Sequence, residues 1–244
     1  MKSLSIIIPC FNEYNRLSTN LPIIFDFCEK YLGEYELIFV NDGSTDDTQE
    51  LLYEYVGHYK FKIISYGLNM GKGYAVRMGL KAATKDLVLF MDADLSTALS
   101  CILDALKYSK TLDKIYKNYI IIGNREVSDS IVIFSKWRQV IGRIFNNLQY
   151  LMLGLRVTDT QCGFKLMPKH IIPRIVDKLM IDGWAFDVEL LYVCEQNNIF
   201  IDCMPVTWHD VVGSKINPVR DAYRMFIELI KIRIIHGGKN GRAY

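Results

Sequence analysis

This chain is predicted to be an α/β protein with a mostly parallel central sheet and helices on both faces. Two observations lead there. Short apolar runs alternate with segments of helical spacing through the first half, and each run closes on a cluster of Asn, Asp, Gly or Ser. That β-α-β-α order is the pattern of a parallel sheet with crossover helices. Residues 4–9 are the first apolar run, ending at Pro9-Cys10-Phe11-Asn12-Glu13. Residues 17–32 have helical spacing. Residues 36–40 form a second strand, closed by Asn41-Asp42-Gly43-Ser44, and 45–55 a helix with Ser44, Thr45 or Asp46 available to cap it. A third strand spans 61–65, a helix opening on glycine 71–83, a fourth strand 86–91, a helix 100–111 and a fifth strand 119–123.

The pattern then changes. Residues 131–155 make one long amphipathic stretch in which Trp137, Ile141, Phe145, Leu148 and Met152 recur at helical spacing. Residues 158–167 are polar and contain glycine. Residues 186–195 are predicted helical, 199–208 form two short strand pieces broken near Pro205, and 218–235 a last helix ended by Gly237-Gly238. Neither an internal repeat nor a Pro- or Ser-rich linker divides the chain, so a single domain over 1–244 is expected.

Composition narrows the classes. Half of the 244 residues are apolar and 23% are charged, as in a folded globular protein. A net charge of +2 gives no reason to expect a nucleic-acid partner. Apolar stretches all fall short of the roughly 20 residues that span a bilayer. Met1-Lys2-Ser3 leads straight into the first strand without a signal-peptide pattern. Six scattered cysteines show no C-x-x-C or zinc spacing, which fits free thiols and a cytoplasmic location.

The chemistry is expected at Asp92-Ala93-Asp94, where two carboxylates follow the apolar run Leu87-Val88-Leu89-Phe90-Met91. Ligands of open α/β sheets bind at the carboxyl ends of the strands. A hard divalent cation held there by one or two carboxylates takes its other ligands from phosphates and water. Glu13 and Asp42 close two other strands, so the carboxylates are expected to converge on one edge. Crowded like charges need compensation by a cation or by hydrogen-bond donors. Asp42 is either a turn residue or an acceptor for a ring N–H of a nucleobase. Lys72, between two glycines at a helix start, is either a solvated lysine or a phosphate or ribose contact. Gly67-Leu68-Asn69-Met70-Gly71-Lys72-Gly73 is one residue short of a P-loop, and its glycines do not follow the first strand as a dinucleotide fingerprint requires.

These segments together resemble a family. Ile6-Ile7-Ile8-Pro9-Cys10-Phe11-Asn12-Glu13, Val40-Asn41-Asp42-Gly43-Ser44-Thr45-Asp46, Asn69-Met70-Gly71-Lys72-Gly73 and Met91-Asp92-Ala93-Asp94 look like the ordered motifs of the family 2 inverting glycosyltransferases with the GT-A fold. Asp159-Thr160-Gln161-Cys162-Gly163-Phe164-Lys165, Gly183-Trp184-Ala185-Phe186-Asp187-Val188-Glu189 and Gly213-Ser214-Lys215 narrow the resemblance to members that glycosylate dolichyl and other polyprenyl phosphates. The resemblance implies inverting transfer of a sugar, glucose from UDP-glucose, to a lipid phosphate. It implies that Pro9, Asn12, Glu13, Asp42, Lys72 and Asp92 hold the nucleotide, that Asp94 with Asp92 holds Mg²⁺ or Mn²⁺, and that Arg125, Lys215 and Gln161 meet phosphate. Residues 1–125 then serve the nucleotide sugar and 126–244 the acceptor. Eukaryotic members of the glucosyltransferase carry an N-terminal membrane anchor, whereas this sequence opens on the first strand, a departure that bears on membrane attachment and not on the chemistry.

Three readings of function stay open: transfer to a polyprenyl phosphate, transfer to a sugar hydroxyl of a bacterial glycan, and an inactive nucleotide-sugar scaffold. A hydroxyl acceptor needs a base, whereas a lipid phosphate is already largely dianionic at neutral pH. Asp159, Asp187 and Glu189 are the candidate catalytic acids on the acceptor side, with a loop-organising or ion-pairing role as the alternative for each. Trp184 either packs or binds sugar, and His209 is either a surface histidine or a metal ligand. On the last helix, Arg220, Arg224, Glu228 and Lys231 form a polar stripe beside an apolar face. That helix and the 131–155 stretch lie on a membrane surface, pack on the sheet, or meet a second copy in a homodimer.

Overall fold

The computed structural model describes residues 2–133, 136–209 and 218–237, with side chains for all of these except 133, 136–141, 143–144 and 218–223. Its sheet has seven strands in the order β3-β2-β1-β4-β7-β5-β8. β1 (Leu4–Cys10), β2 (Tyr35–Asp42), β3 (Phe61–Tyr66) and β4 (Leu87–Met91) lie parallel, as do β5 (Tyr119–Asn124) and β8 (Phe200–Pro205). The chain moves outward from β1 to β3 and then returns to place β4 on the other side of β1. The crevice beyond the carboxyl ends of β1 and β4 is therefore the topological switch point, where open α/β sheets bind ligands.

Both faces are covered. α1 (Tyr14–Tyr31) buries Leu17, Leu21, Ile24, Phe25 and Cys28, the 3–4 spacing of one helical face. With α2 (Thr48–Glu54) and α4 (Ser100–Leu112) it seals one side of the sheet. α3 (Lys72–Ala82) packs on the other side, together with part of α5 (Lys136–Leu153), the single turn α6 (Ile172–Ile175), α7 (Phe186–Gln196) and α8 (Pro218–His236). α7 is buried nearly all round, and α8 is seated through Leu229 and Ile232.

Two expectations are corrected. The helix expected over 131–155 begins only at Lys136, because the β-branched run Ile131-Val132-Ile133 forms strand β6 (Ile131–Ile133) and pairs in parallel with β9 (Thr207–His209). The polar stretch 158–167 contains the start of a fully buried strand, β7 (Phe164–Pro168), antiparallel to both β4 and β5. Lys165 hides this strand, because a charge in mid-run breaks the apolar signature. Antiparallel insertion is what brings the Asp159–Gly163 motif to the site: Phe164 stands opposite Met91, so residues preceding β7 emerge beside the Asp92 turn.

All six cysteines are free, five of them buried. Among the described residues no helix is long and apolar enough to cross a membrane. Gly79 of α3 touches Ile7 of β1 so closely that a Cβ would land inside the isoleucine side chain. Gly79→Ala is expected to destabilise the fold by about 1–3 kcal/mol through overpacking, measured as a shift in urea midpoint at unchanged slope.

Candidate active site

The loops after β1, β2 and β4 meet the start of α3 and the segment before β7 at one sheet edge. The loop after β1 is tied to the loop after β2. Asn12, with a left-handed φ of 53°, receives hydrogen bonds on Oδ1 from Thr45 N (2.7 Å) and Asp46 N (3.3 Å), and donates its own N–H to Ser44 Oγ at 2.9 Å. Glu13 pairs with Arg16 at 2.9 Å, and Pro9 stands at the end of β1 opposite Val40. Asp42 is buried and organises the turn before α3. Its Oδ1 accepts from Met70 N at 2.8 Å, and Oδ2 accepts from Asn69 Nδ2 and Gly71 N, both at 2.9 Å. Gly71 follows with φ 101°, a conformation that L side chains disfavour, and it abuts the carbonyl of Asp182.

That turn delivers Lys72. Its Nζ lies 2.6 Å from Asp92 Oδ1 and is covered by the rings of Trp184 (5.5 Å) and Phe186 (5.8 Å). Burial works against the ammonium charge, but Asp92, Asp187 and Asp94 outweigh it and hold Lys72 above the usual lysine range. Asp92 donates its N–H to Gly163 O at 3.1 Å, and its carboxylate lies against the Gly163 Cα where a side chain would otherwise stand. Asp94 accepts the Ser96 N–H at 2.9 Å and has no ion pair among the described residues.

The expected crowding of carboxylates is resolved residue by residue. Glu13 has Arg16, Asp42 has the 69–71 turn, and Asp92 has Lys72. The three candidate acids of the second half are engaged as well. Asp159 is buried in a forked pair with Arg125, taking Nε and the backbone N–H on Oδ2 and Nη2 on Oδ1, each at 2.8 Å. Burial would raise its carboxyl, but Arg125 wins and holds it below the usual carboxylate range. Arg125 also lies over the Trp208 ring at 5.2 Å. Asp187 pairs with the fully buried Lys165, and burial pushes its carboxyl up against the opposing pull of Lys165 and Lys72. Glu189, wholly buried, accepts the N–H groups of Met180 and Ile181 at 2.8–2.9 Å and meets His236 Nε2 at 2.8 Å. Each of the three acids is thus engaged by a cation or by backbone N–H groups.

Gln161 Nε2 is buried with no acceptor among the described residues, a donor left for a ligand oxygen. Trp184 is 44% exposed and packs over Lys72. His209 is exposed, and its N–H goes to Ser96 O. Lys215, with Gly213 and Ser214, lies outside the described residues, as do the side chains of Arg138, Arg143 and Arg220. Sequence reasoning gave Lys165 only as a partner for the acids, and it missed the roles of Trp208 and His236. The Lys165 signal was the single charge inside an otherwise apolar FKLMP run.

The donor set suits a divalent cation. Asp94 and Asp92 offer hard oxygen ligands. Among the described residues no group of three or more His, Cys, Asp or Glu could hold a metal.

Two outcomes are expected. Lys165→Met leaves Asp187 buried without its cation and should cost about 3–5 kcal/mol, read by denaturant unfolding. Asp159 has a depressed folded-state pKa, so its contribution is complete above the unfolded value near ~3.9 and is lost as pH falls through the lower folded value. The stability difference between wild type and Asp159→Asn should therefore shrink below about pH 4, followed by urea midpoints across pH.

The geometry has counterparts among known proteins. Dolichyl-phosphate beta-glucosyltransferase of Saccharomyces cerevisiae is 33% identical over 250 residues, covering 96% of this chain and 75% of that protein. The Homo sapiens protein of the same name is 33% identical with the same coverage. Among solved structures, glucosyl-3-phosphoglycerate synthase from Mycobacterium tuberculosis in complex with UDP superposes with a TM-score of 0.64 at 16% identity, covering 98% of this chain and 82% of that one. Mannosyl-3-phosphoglycerate synthase from Rubrobacter xylanophilus gives 0.64 at 15% identity, covering 100% and 77%. These share the GT-A fold. The family described as Glycosyl transferase family 2 matches residues 5–175. Spanning most of the sheet and reinforced by relatives one-third identical across nearly the whole chain, that match means that this chain belongs to glycosyl transferase family 2.

Proposed function

We propose that this glycosyltransferase moves glucose, with inversion, from UDP-glucose to the phosphate of dolichol or a similar polyprenol. The observation that carries the acceptor and the sugar is the 33% identity, over 96% of the chain, to proteins named dolichyl-phosphate beta-glucosyltransferase. The geometry supports it from the acceptor side. A sugar hydroxyl must lose a proton to a base. Asp159, Asp187 and Glu189, the carboxylates placed for that task by sequence, are held by Arg125, Lys165 and backbone N–H groups. A phosphate dianion needs positioning rather than deprotonation.

On this reading the two ends of the chain divide the work, with residues 1–125 holding the donor and 126–244 the acceptor within one domain. Asp42 Oδ1 accepts the Met70 N–H, and a carboxylate oxygen has a second lone pair to take the ring N–H of uracil. Asn12, Glu13 and Pro9 shape the nucleoside floor. Lys72 exchanges Asp92 for the donor diphosphate. Asp159 engages Arg125 through Nε and Nη2, which leaves the Nη1 donors for a phosphate, and Gln161 Nε2 adds a neutral donor. An acceptor phosphate oxygen attacks the anomeric carbon from the face opposite UDP. The bond to the diphosphate breaks, and its electron pair leaves on the β-phosphate. Asp94, helped by Asp92, would hold Mg²⁺ or Mn²⁺, which when bound stabilises the charge on the leaving diphosphate. Exposed Tyr150 and Leu151 on α5 and Phe226, Ile234 and Ile235 on α8 support a seat on the lipid surface where the acceptor resides.

The deciding assay supplies Mn²⁺, a panel of UDP- and GDP-sugars, and a short polyprenyl phosphate or none. UDP release from UDP-glucose should require the lipid phosphate, and release that ignores it overturns the reading. Turnover should be flat above about pH 7, because the acceptor phosphate has its second pKa near ~6. Asp94→Ala should lose roughly a hundredfold or more in kcat with its melting curve retained.

A further inference from the structure

Segment 180–185, between β7 and α7, is held from two opposite sides. Toward α3, Asp182 O accepts the Gly73 N–H at 2.7 Å, and the carbonyls of Ile181 and Asp182 occupy the space that side chains at Gly73 and Gly71 would need. Arg77 of α3 adds an ion pair to Asp182 (2.5 Å) and a hydrogen bond to Ile181 O (3.3 Å). Trp184 of the same segment covers Lys72. Toward α8, Glu228 Oε2 accepts the Ala185 N–H at 2.9 Å, and its carboxylate fills the space beside Gly183. Ala185 is the N-cap position of α7 and makes no side-chain cap, so a carboxylate from another helix supplies the capping acceptor. At the last residue of α8, His236 reaches Glu189, the same carboxylate that holds the Met180 and Ile181 N–H groups.

Among the described residues no hydrogen bond or ion pair joins Glu228 or His236 to Asp92, Asp94, Arg125 or Lys72. A carboxylate on an amphipathic helix meets less cost in water than at this half-buried place, where burial pushes the Glu228 carboxyl up. Its inward placement has one structural beneficiary, segment 180–185, and that segment is the wall against which the Gly71-Lys72-Gly73 turn is built.

We propose that Glu228 and His236 are positioning residues of the donor site: they seat α8 on segment 180–185, and this segment holds the turn that presents Lys72 to the diphosphate. The role of Lys72 in this proposal rests on the functional reading above. α8 lies far along the chain from the nucleotide motifs, yet its docking sets how much of the protein is competent to bind the donor. Apparent affinity falls in proportion to that competent fraction.

The test uses Glu228→Ala, Glu228→Gln and Gly183→Ala in the full chain. The Gln variant keeps an acceptor for the Ala185 N–H, and the Gly183 variant displaces the carboxylate without removing it. Amide hydrogen exchange of the ligand-free protein is read at residues 71–75, together with UDP affinity in Mn²⁺ by calorimetry and the KM of each substrate. Glu228→Ala and Gly183→Ala should speed exchange at 71–75, weaken UDP binding and raise donor KM by roughly tenfold, with acceptor KM and saturated kcat within about twofold, and Glu228→Gln should restore most of the loss. Unchanged exchange at 71–75 in a folded Glu228→Ala or Gly183→Ala protein overturns the proposal. So does an equal rise in both KM values, or a Gln variant as impaired as Ala. If wild type binds no UDP, the donor reading fails separately, and the exchange data still decide whether α8 controls the turn.

Discussion

One buried charge organises this molecule. Lys165 has no exposed surface and sits in the middle of the sheet, over the Phe90 ring at 5.2 Å. A bare ammonium in such a place is prohibitively costly, so its partners are fixed with it. It donates to Cys162 O at 2.9 Å, which holds the turn after the Asp159 motif, and it pairs with Asp187, which anchors the first turn of α7. Sheet, the loop before β7 and helix α7 are thereby locked around a single nitrogen. Asp187 in turn adds to the field that keeps Lys72 charged. Such a pair is weak evidence for net stability, since an apolar substitute can do as well, but breaking one side of it is expensive. What it specifies is register: β7 cannot slide by a residue without turning Lys165 to the other face of the sheet.

The wider site follows the same logic of paired charges. Carboxylates that a reader of the sequence would gather around one cation are distributed instead among Arg16, the 69–71 turn, Lys72, Arg125 and Lys165. Asp42 and Asp94 of the strand-end set have no ion pair among the described residues: Asp42 is held by hydrogen bonds from the 69–71 turn, and Asp94 accepts the Ser96 N–H. The arrangement is preorganised electrostatically, with Lys72, Arg125 and Lys165 largely withdrawn from solvent and each already paired with a carboxylate. It provides little machinery for moving protons.

Much of this was legible before the coordinates. β1 to β4 and their helices followed from alternation of apolar runs and turn clusters, and α7 and α8 matched their expected spans closely. The D-x-D turn, Lys72, Arg125 and the Asp159 motif were readable as chemistry because each stands where a strand or helix ends. The rest was hidden for identifiable reasons. β7 was masked by Lys165, whose cost is met by a residue 22 positions away that no local pattern reveals. β6 was absorbed into a helical pattern because three residues are too few to establish a period of two. Asp159, Asp187 and Glu189 are visible in sequence as carboxylates, but the partners that engage them, Arg125, Lys165 and the Met180 and Ile181 N–H groups, are not. Glu228 looked like part of a solvent-facing stripe, and only the fold shows the α7 N–H it was turned toward.

The place of β7 also bears on how the molecule comes into being. A ribosome delivers β4 and β5 before β7, yet in the finished sheet β7 separates them. Until residue 168 has been made, β4 presents an open edge, and β5 has neither of its neighbours, since β8 comes later still. Open strand edges of this kind invite pairing with other chains. Residues 1–125 therefore lack the strand that joins β4 to β5, and the sheet closes only late, when the charged strand β7 enters between them. Such long-range closure is intrinsically slow. The nascent chain spends that interval as a natural client for whatever shields unpaired edges in the cell.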